Sequence, residues 1–169
     1  MFERFTPGAR KAVVISQELA RSCHQDVIEP VHLLLGTLGA NDPDMGALLD
    51  RLGLDSGDVV EQVSAIVQTG TADLTGHIPF HEGTKMVIAD SLKQALALGD
   101  KEIRTTHLLL GLLHIDRGPL SDVLAKLGIT TASVTAALGA GGSDGAGATF
   151  QVRTTKGLGR FRRGGKSDG

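Results

Sequence analysis

Val31-His32-Leu33-Leu34-Leu35-Gly36 returns as Thr106-His107-Leu108-Leu109-Leu110-Gly111, 75 residues further along the chain. At the same offset, without a gap, Phe5 pairs with Phe80, Gly8 with Gly83, Ser16 with Ser91, Ala20 with Ala95 and Ile28 with Ile103. Past the core, Leu38 pairs with Leu113, Leu49 with Leu124, Leu52-Gly53 with Leu127-Gly128 and Val59 with Val134. The matches fall on apolar and glycine positions while the charges between them change. What is duplicated is therefore a mode of packing, and two copies of one unit are expected. A unit of about 60 residues buries too little surface to be more than marginal alone, so the copies are expected to pack on each other.

Within each copy the apolar spacing is helical. Ala9, Ala12, Val13, Ser16, Leu19, Ala20 and Cys23 follow the i, i+3, i+4, i+7 rule of one buried face, as do Val87, Ile88, Ser91, Leu92, Ala95 and Leu98 in the second copy. Thr6-Pro7, Glu29-Pro30, Asp42-Pro43 and Gly118-Pro119 each place proline where a first helical turn loses nothing by its missing N–H. The spacing predicts helices over 6–23, 30–39, 43–52 and 56–68, then 81–98, 105–115, 119–127 and 131–139. No stretch alternates with period two for long enough to make a sheet. The expected fold is all-α, with two four-helix repeats at 1–69 and 80–140 joined by a linker at 70–79.

Charge is divided unevenly beneath a net value of −2. Residues 1–140 hold 11 Lys+Arg against 17 Asp+Glu, whereas residues 141–169 hold 6 against 2. The body is acidic and the tail basic. Gly139 to Gly147 is mostly Gly, Ala and Ser, which cannot offset its ordering entropy by burial, so 141–169 is expected to be a flexible tail. No apolar run approaches the roughly 20 residues of a membrane span, and Met1-Phe2-Glu3-Arg4 lacks a signal-peptide core, so a cytoplasmic location is expected. The single cysteine, Cys23, excludes an internal disulfide and a multi-cysteine metal site, and its place on the apolar stripe reads as a small core residue.

Catalytic patterns do not survive inspection. A P-loop needs G-x-x-x-x-G-K-[ST], and the one near miss, Gly165-Lys166-Ser167, has Arg160 where the first glycine belongs. Gly141-Gly142-Ser143-Asp144-Gly145 fits the hydrolase G-x-S-x-G spacing but lacks the strand-to-helix turn that makes such a serine reactive. No predicted helix carries two histidines at i, i+4, so no metal is expected, and no cofactor. His32 and His107 stand at equivalent helix starts, which points to a shared hydrogen-bonding role. His77 and His81 flank Phe80 and either line a binding surface or are merely solvated.

Met1-Phe2-Glu3-Arg4-Phe5-Thr6, the two His-Leu-Leu-Leu-Gly segments, Gly76-His77-Ile78-Pro79-Phe80 and the 75-residue duplication together resemble the double Clp repeat, the N-terminal domain of ClpC-type AAA+ unfoldases. The resemblance covers residues 1–140. It implies a helical module with pseudo-twofold symmetry that receives substrates and adaptors for an ATPase ring. Without a P-loop, the chain is expected to be non-catalytic and to stand alone, modulating or protecting a Clp unfoldase-protease system. Its partners would be Clp ATPase components, adaptors or substrate proteins, and its state, as is common for isolated domains of this family, a monomer.

Two surfaces follow from the resemblance. In some members each repeat carries Thr-Glu-His at the start of its second helix, and the glutamate helps bind phosphorylated arginine through paired, charge-assisted bonds. The triplets here are Pro30-Val31-His32 and Thr105-Thr106-His107. Val31 has no acceptor and Thr106 only a neutral hydroxyl, so a charge pair worth about 2–5 kcal/mol when desolvated is missing. Glu29 lies two residues earlier, but its mate is Arg104, of opposite sign. Phosphoarginine recognition is expected to be weak or absent.

The second surface is better matched. The chain has neither Trp nor Tyr, and three of its five Phe residues, Phe2, Phe5 and Phe80, stand at the two repeat starts, with Arg10 and Lys85 as repeat mates. Aromatics beside cations are common in protein-binding hot spots, although Phe5 and Phe80 also read as core anchors. The residues resembling the family's acceptor face for cyclic-peptide antibiotics of the cyclomarin type are Phe2, Arg10, Val13, Gln17, His77, Phe80 and Lys85. Ala89 departs from the acidic residue common there. An alternative function is nucleic-acid or acidic-surface binding by the tail, where Arg153, Lys156, Arg160, Arg162, Arg163 and Lys166 interleave with Phe150 and Phe161. Such binding would collapse with salt, whereas docking on the body would not.

Overall fold

The computed structural model describes residues 2–142. All but the first two residues of the predicted tail, and with them the tail's cations and the alternative built on them, lie outside the described residues. A 3-10 turn at Phe2–Arg4 leads into α1 (Pro7–Ser22), α2 (Pro30–Gly39), α3 (Pro43–Arg51), α4 (Ser56–Ser64), α5 (Glu82–Ala97), α6 (Thr105–Leu112), α7 (Pro119–Lys126) and α8 (Thr131–Gly142). The regular structure of the described residues is all helical. Among the described residues, β pairing is confined to two isolated parallel bridges, Phe5 with Ile103 and Ile28 with Phe80. By backbone proximity the chain divides into Met1–Thr131 and Ala132–Gly169.

Helix starts follow the local chemistry of the sequence. Thr6 caps α1, its Oγ1 accepting from Ala9 N at 3.2 Å, with Pro7 at the first position. Its mate His81 caps α5, where Nδ1 accepts from Gly83 N at 3.0 Å. His81 is thus a capping residue. At the C-termini of α3 and α7, Gly53 (φ 72°) and Gly128 (φ 79°) take the left-handed conformation that ends a helix and that a Cβ disfavours.

The first unit is built from two helix pairs, α1 with α2 and α5 with α6, and α2 also packs on α6. Close approach within each pair depends on the glycine of the duplicated motif: a Cβ on Gly36 would lie 2.2 Å from Ala12 O, and one on Gly111 2.6 Å from Val87 O. Leu33, Leu34, Leu108 and Leu109 are buried to within 2%. Each contributes about 2 kcal/mol of burial.

The repeats interlock through their leading segments. Thr6 N donates to Ile103 O at 3.0 Å and Ile103 N to Arg4 O at 2.7 Å. The mates repeat this in reverse, His81 N donating to Ile28 O at 3.0 Å and Ile28 N to Pro79 O at 2.8 Å. Each repeat's entry segment therefore pairs with the other repeat, which is the pseudo-twofold relation written in hydrogen bonds. Arg104 on the second repeat adds a 2.8 Å bond to Asp44 on the first, and Thr105 Oγ1 one of 2.6 Å to Asp42.

Several sequence expectations need correction. α4 was expected to reach residue 68 but stops at Ser64, because Gln25 Nε2 takes Gln68 O and Gly70 N turns back to Cys23 O. α6 was expected to reach 115 and ends at Leu112, beyond which His114 turns its Nδ1 to Asp90. Cys23 is half-buried at the C-cap of α1 rather than in the core, and Leu98, at the corresponding end of α5, is 48% exposed. The apolar stripe outlasts the helix face that packs.

Candidate functional site

Phe2 lies at the meeting of the two entry segments. Its ring is edge-on to Phe5 at 4.9 Å and to Phe80 at 6.1 Å between centroids. Of the two core-anchor readings, Phe5 is 1% exposed and fits. Phe80 is half-buried and packs on Ala20, Ile28 and Ile78, so it anchors in the core while keeping, like Phe2, some surface. Aromatic pairs in this geometry add about 0.5–1.5 kcal/mol beyond burial.

The other predicted residues arrange themselves along α1, the 70–79 segment and α5. Arg10, exposed, donates from Nε to Phe2 O at 3.2 Å and from Nη2 to Glu3 O at 3.3 Å, so it holds the turn that carries Phe2. Val13 and Gln17 follow at helical spacing and are half-buried. Gln17 Oε1 accepts from Ile78 N at 3.4 Å, next to the exposed His77. Lys85 is exposed one turn into α5, with Glu82 at 3.4 Å.

The 70–79 segment, expected as a plain linker, is an irregular strap tied to α1. Gly70 N donates to Cys23 O and Ala72 N to His24 O, both at 2.8 Å. Arg21 reaches Leu74 O and Gly76 O, and Ile78 is fully buried with Ala20 and Ile28. His24, a non-glycine residue at φ 57°, is fixed there with its Nδ1 3.1 Å from Ala72 O. Neither Arg21 nor the strap was legible beforehand: the bonds run to backbone carbonyls, which no side-chain pattern announces.

The degenerate triplets are also placed. Val31 is half-buried and lines a cavity of about 370 Å³ with Glu29, His32, Gln68 and Arg117, whereas Thr106 is only 3% exposed. The Thr106 hydroxyl is thus inside the protein and offers nothing to a ligand. His32 and His107 do share a structural role: Nδ1 accepts from Glu29 N at 3.0 Å in one and from Arg104 N at 2.9 Å in the other. His107 Nε2 then meets Asp100 at 3.0 Å, while His32 Nε2 is buried with no hydrogen-bond partner, the repeat mate of Asp100 being Gln25, whose amide goes to Gln68 O instead. Burial pushes both imidazoles below their usual pKa, opposed by Glu29 at His32 and by Asp100 at His107. Among the described residues no group of acidic, His or Cys side chains could hold a metal ion, and no helix is long and apolar enough to cross a membrane.

Comparison with known proteins bears on the fold and the family. The family model for the Clp repeat (R) N-terminal domain matches residues 4–140. The chaperone protein ClpC2 of Arabidopsis thaliana chloroplasts is 34% identical over 134 residues, 79% of this chain and 14% of that protein. A chloroplastic ClpA homolog, a Clp protease ATP-binding subunit of Brassica napus, is also 34% identical, over 79% of this chain and 15% of its own length. The chain thus spans about one-seventh of these relatives. Among solved structures, the N-terminal domain of the chaperone ClpD from Arabidopsis thaliana superposes with a TM-score of 0.61 at 29% identity, over 81% of this chain and 93% of that one. The Hsp104 N-terminal domain of Candida albicans gives 0.69 at 22% identity, over 84% and 94%, which is a likeness of fold.

Proposed function

The chain belongs to the Clp repeat (R) N-terminal domain family, and from that premise we propose that it is a non-catalytic docking module. It takes peptide segments of substrates or adaptors, or cyclic peptides of the cyclomarin type, on the face around Phe2, and so modulates a Clp unfoldase-protease system. The repeats proposed to build that face are 1–69 and 80–140, with 70–79 between them. The observation that carries the reading is the half-buried Phe2 ring on Phe5 and Phe80, in a protein with no Trp or Tyr to offer elsewhere. A rigid aromatic with two torsions gives contact area at low entropic cost, and the exposed Lys85 on α5 is proposed to add a cation to the same face.

The relatives named above are a chaperone protein and a homolog of an ATP-binding subunit of a Clp protease, and the proposed role is set in such a system. The test is a pull-down from the native host with the 169-residue protein and its Phe2→Ala, Lys85→Ala double variant as baits. Clp components or Clp substrates are expected on the first bait and about tenfold less on the second, the loss that truncating one hot-spot residue produces. Equal recovery on both baits would overturn the reading.

A further inference from the structure

Arg21 stands on the last turn of α1, one turn after Gln17, with its side chain 30% exposed. Its guanidinium is oriented on three sides: Nη1 meets Glu18 Oε1 at 2.9 Å, Nε donates to Leu74 O at 3.3 Å and Nη2 to Gly76 O at 2.6 Å. The carboxylate holds the planar fork in place, and the fork holds two carbonyls. Upstream the strap is anchored at Gly70 and Ala72, downstream by buried Ile78. Between those anchors, the hydrogen bonds described for the strap backbone are those from Arg21. His77, the one docking-face residue on the strap's exposed span, follows directly on Gly76.

The clamp occurs on one helix only. At the 75-residue offset the mates of Gln17, Glu18 and Arg21 on α5 are Leu92, Lys93 and Leu96, and Leu96 is 56% exposed. The other entry segment, Phe2–Arg4, is held from α1 as well, by Arg10. Two arginines of a single helix therefore fix both segments that frame the face, and the pseudo-twofold symmetry is broken there.

We propose that Arg21 is a positioning residue of the docking face, acting through the carbonyls of Leu74 and Gly76 to hold His77 beside Gln17 without itself touching the ligand. This rests on the docking reading above. A strap with Gly76 in its exposed span samples many conformations once released, and affinity falls in proportion to the population that remains competent.

The experiment uses the 169-residue protein as wild type, Arg21→Ala and Arg21→Lys. NMR order parameters are measured at Leu74, Thr75, Gly76 and His77, and a fluorescent cyclic peptide of the cyclomarin type is titrated against each. In Arg21→Ala the strap's order parameters are expected to fall from about 0.85 to below about 0.6, while those of Ile28 and Ile103 hold and the thermal midpoint moves little. Affinity is expected to fall about tenfold. Arg21→Lys, whose ammonium reaches one carbonyl, is expected to restore part of both. An ordered strap in Arg21→Ala overturns the proposal, and so does a loosened strap with wild-type affinity. Failure of the wild-type protein to bind the probe overturns the cyclic-peptide part of the docking reading, and this role with it, and is told apart because it precedes any substitution.

Discussion

Gly36 and Gly111 are where one side-chain carbon decides most. The atoms a Cβ would meet at 2.2 and 2.6 Å are carbonyl oxygens of α1 and α5, which no rotamer change can move aside. Gly36→Ala or Gly111→Ala is expected to destabilise by about 1–3 kcal/mol, read as a lower denaturant midpoint at unchanged slope. Gly46, in α3 with nothing within 4 Å of its virtual Cβ, is the control. Its alanine variant is expected to gain about 0.5–1 kcal/mol. The buried histidines set a second expectation. His32 and His107 are kept neutral by burial, so their folded pKa values lie below the unfolded value of about 6.5. Below that value the unfolded chain binds more protons than the folded one. The stabilisation is therefore complete above about pH 6.5 and is lost as pH falls toward the folded values. Denaturant midpoints measured from pH 7.5 to 5 should decline, and His32→Asn, which keeps an acceptor near Glu29 N but does not titrate, should flatten the decline. An unchanged slope in that variant would contradict the assignment.

At the scale of elements, what the sequence made legible was whatever repeats or has a period. The 75-residue offset announced two copies of α1–α4, and the prolines marked the starts of α2, α3 and α7 to the residue. The ends were less visible, because α4 and α6 are stopped by Gln25 and by the His114–Asp90 contact, partners distant in sequence. The 3-10 turn at Phe2–Arg4 was also unforeseen: Phe5 N closes it on Phe2 O, and Arg10 braces it through the carbonyls of Phe2 and Glu3. Of the candidate site, the aromatic cluster was readable from the repeat mates and the strap was not. Side chains that recognise backbone leave no pattern in the letters on the other end.

For the whole molecule, the exchange of entry segments between repeats matters more than any single contact. Neither repeat contains the segment that closes its own loop: Ile103 is bonded by Arg4 and Thr6, Ile28 by Pro79 and His81. The Arg104–Asp44 pair that also joins them is about half exposed and is worth at most about 1 kcal/mol. Residues 1–69 produced alone are therefore expected to show no cooperative unfolding transition by circular dichroism, whereas 1–142 should unfold in one step. A sharply melting half would contradict the interlock. The same closure constrains what the aromatic face accepts. Arg10 already spends Nε and Nη2 on the protein's own carbonyls, so an anionic guest that demanded the whole fork would unseat the ring it came to rest on. If the proposed docking role holds, neutral apolar guests that leave that guanidinium undisturbed are the ones expected to bind there.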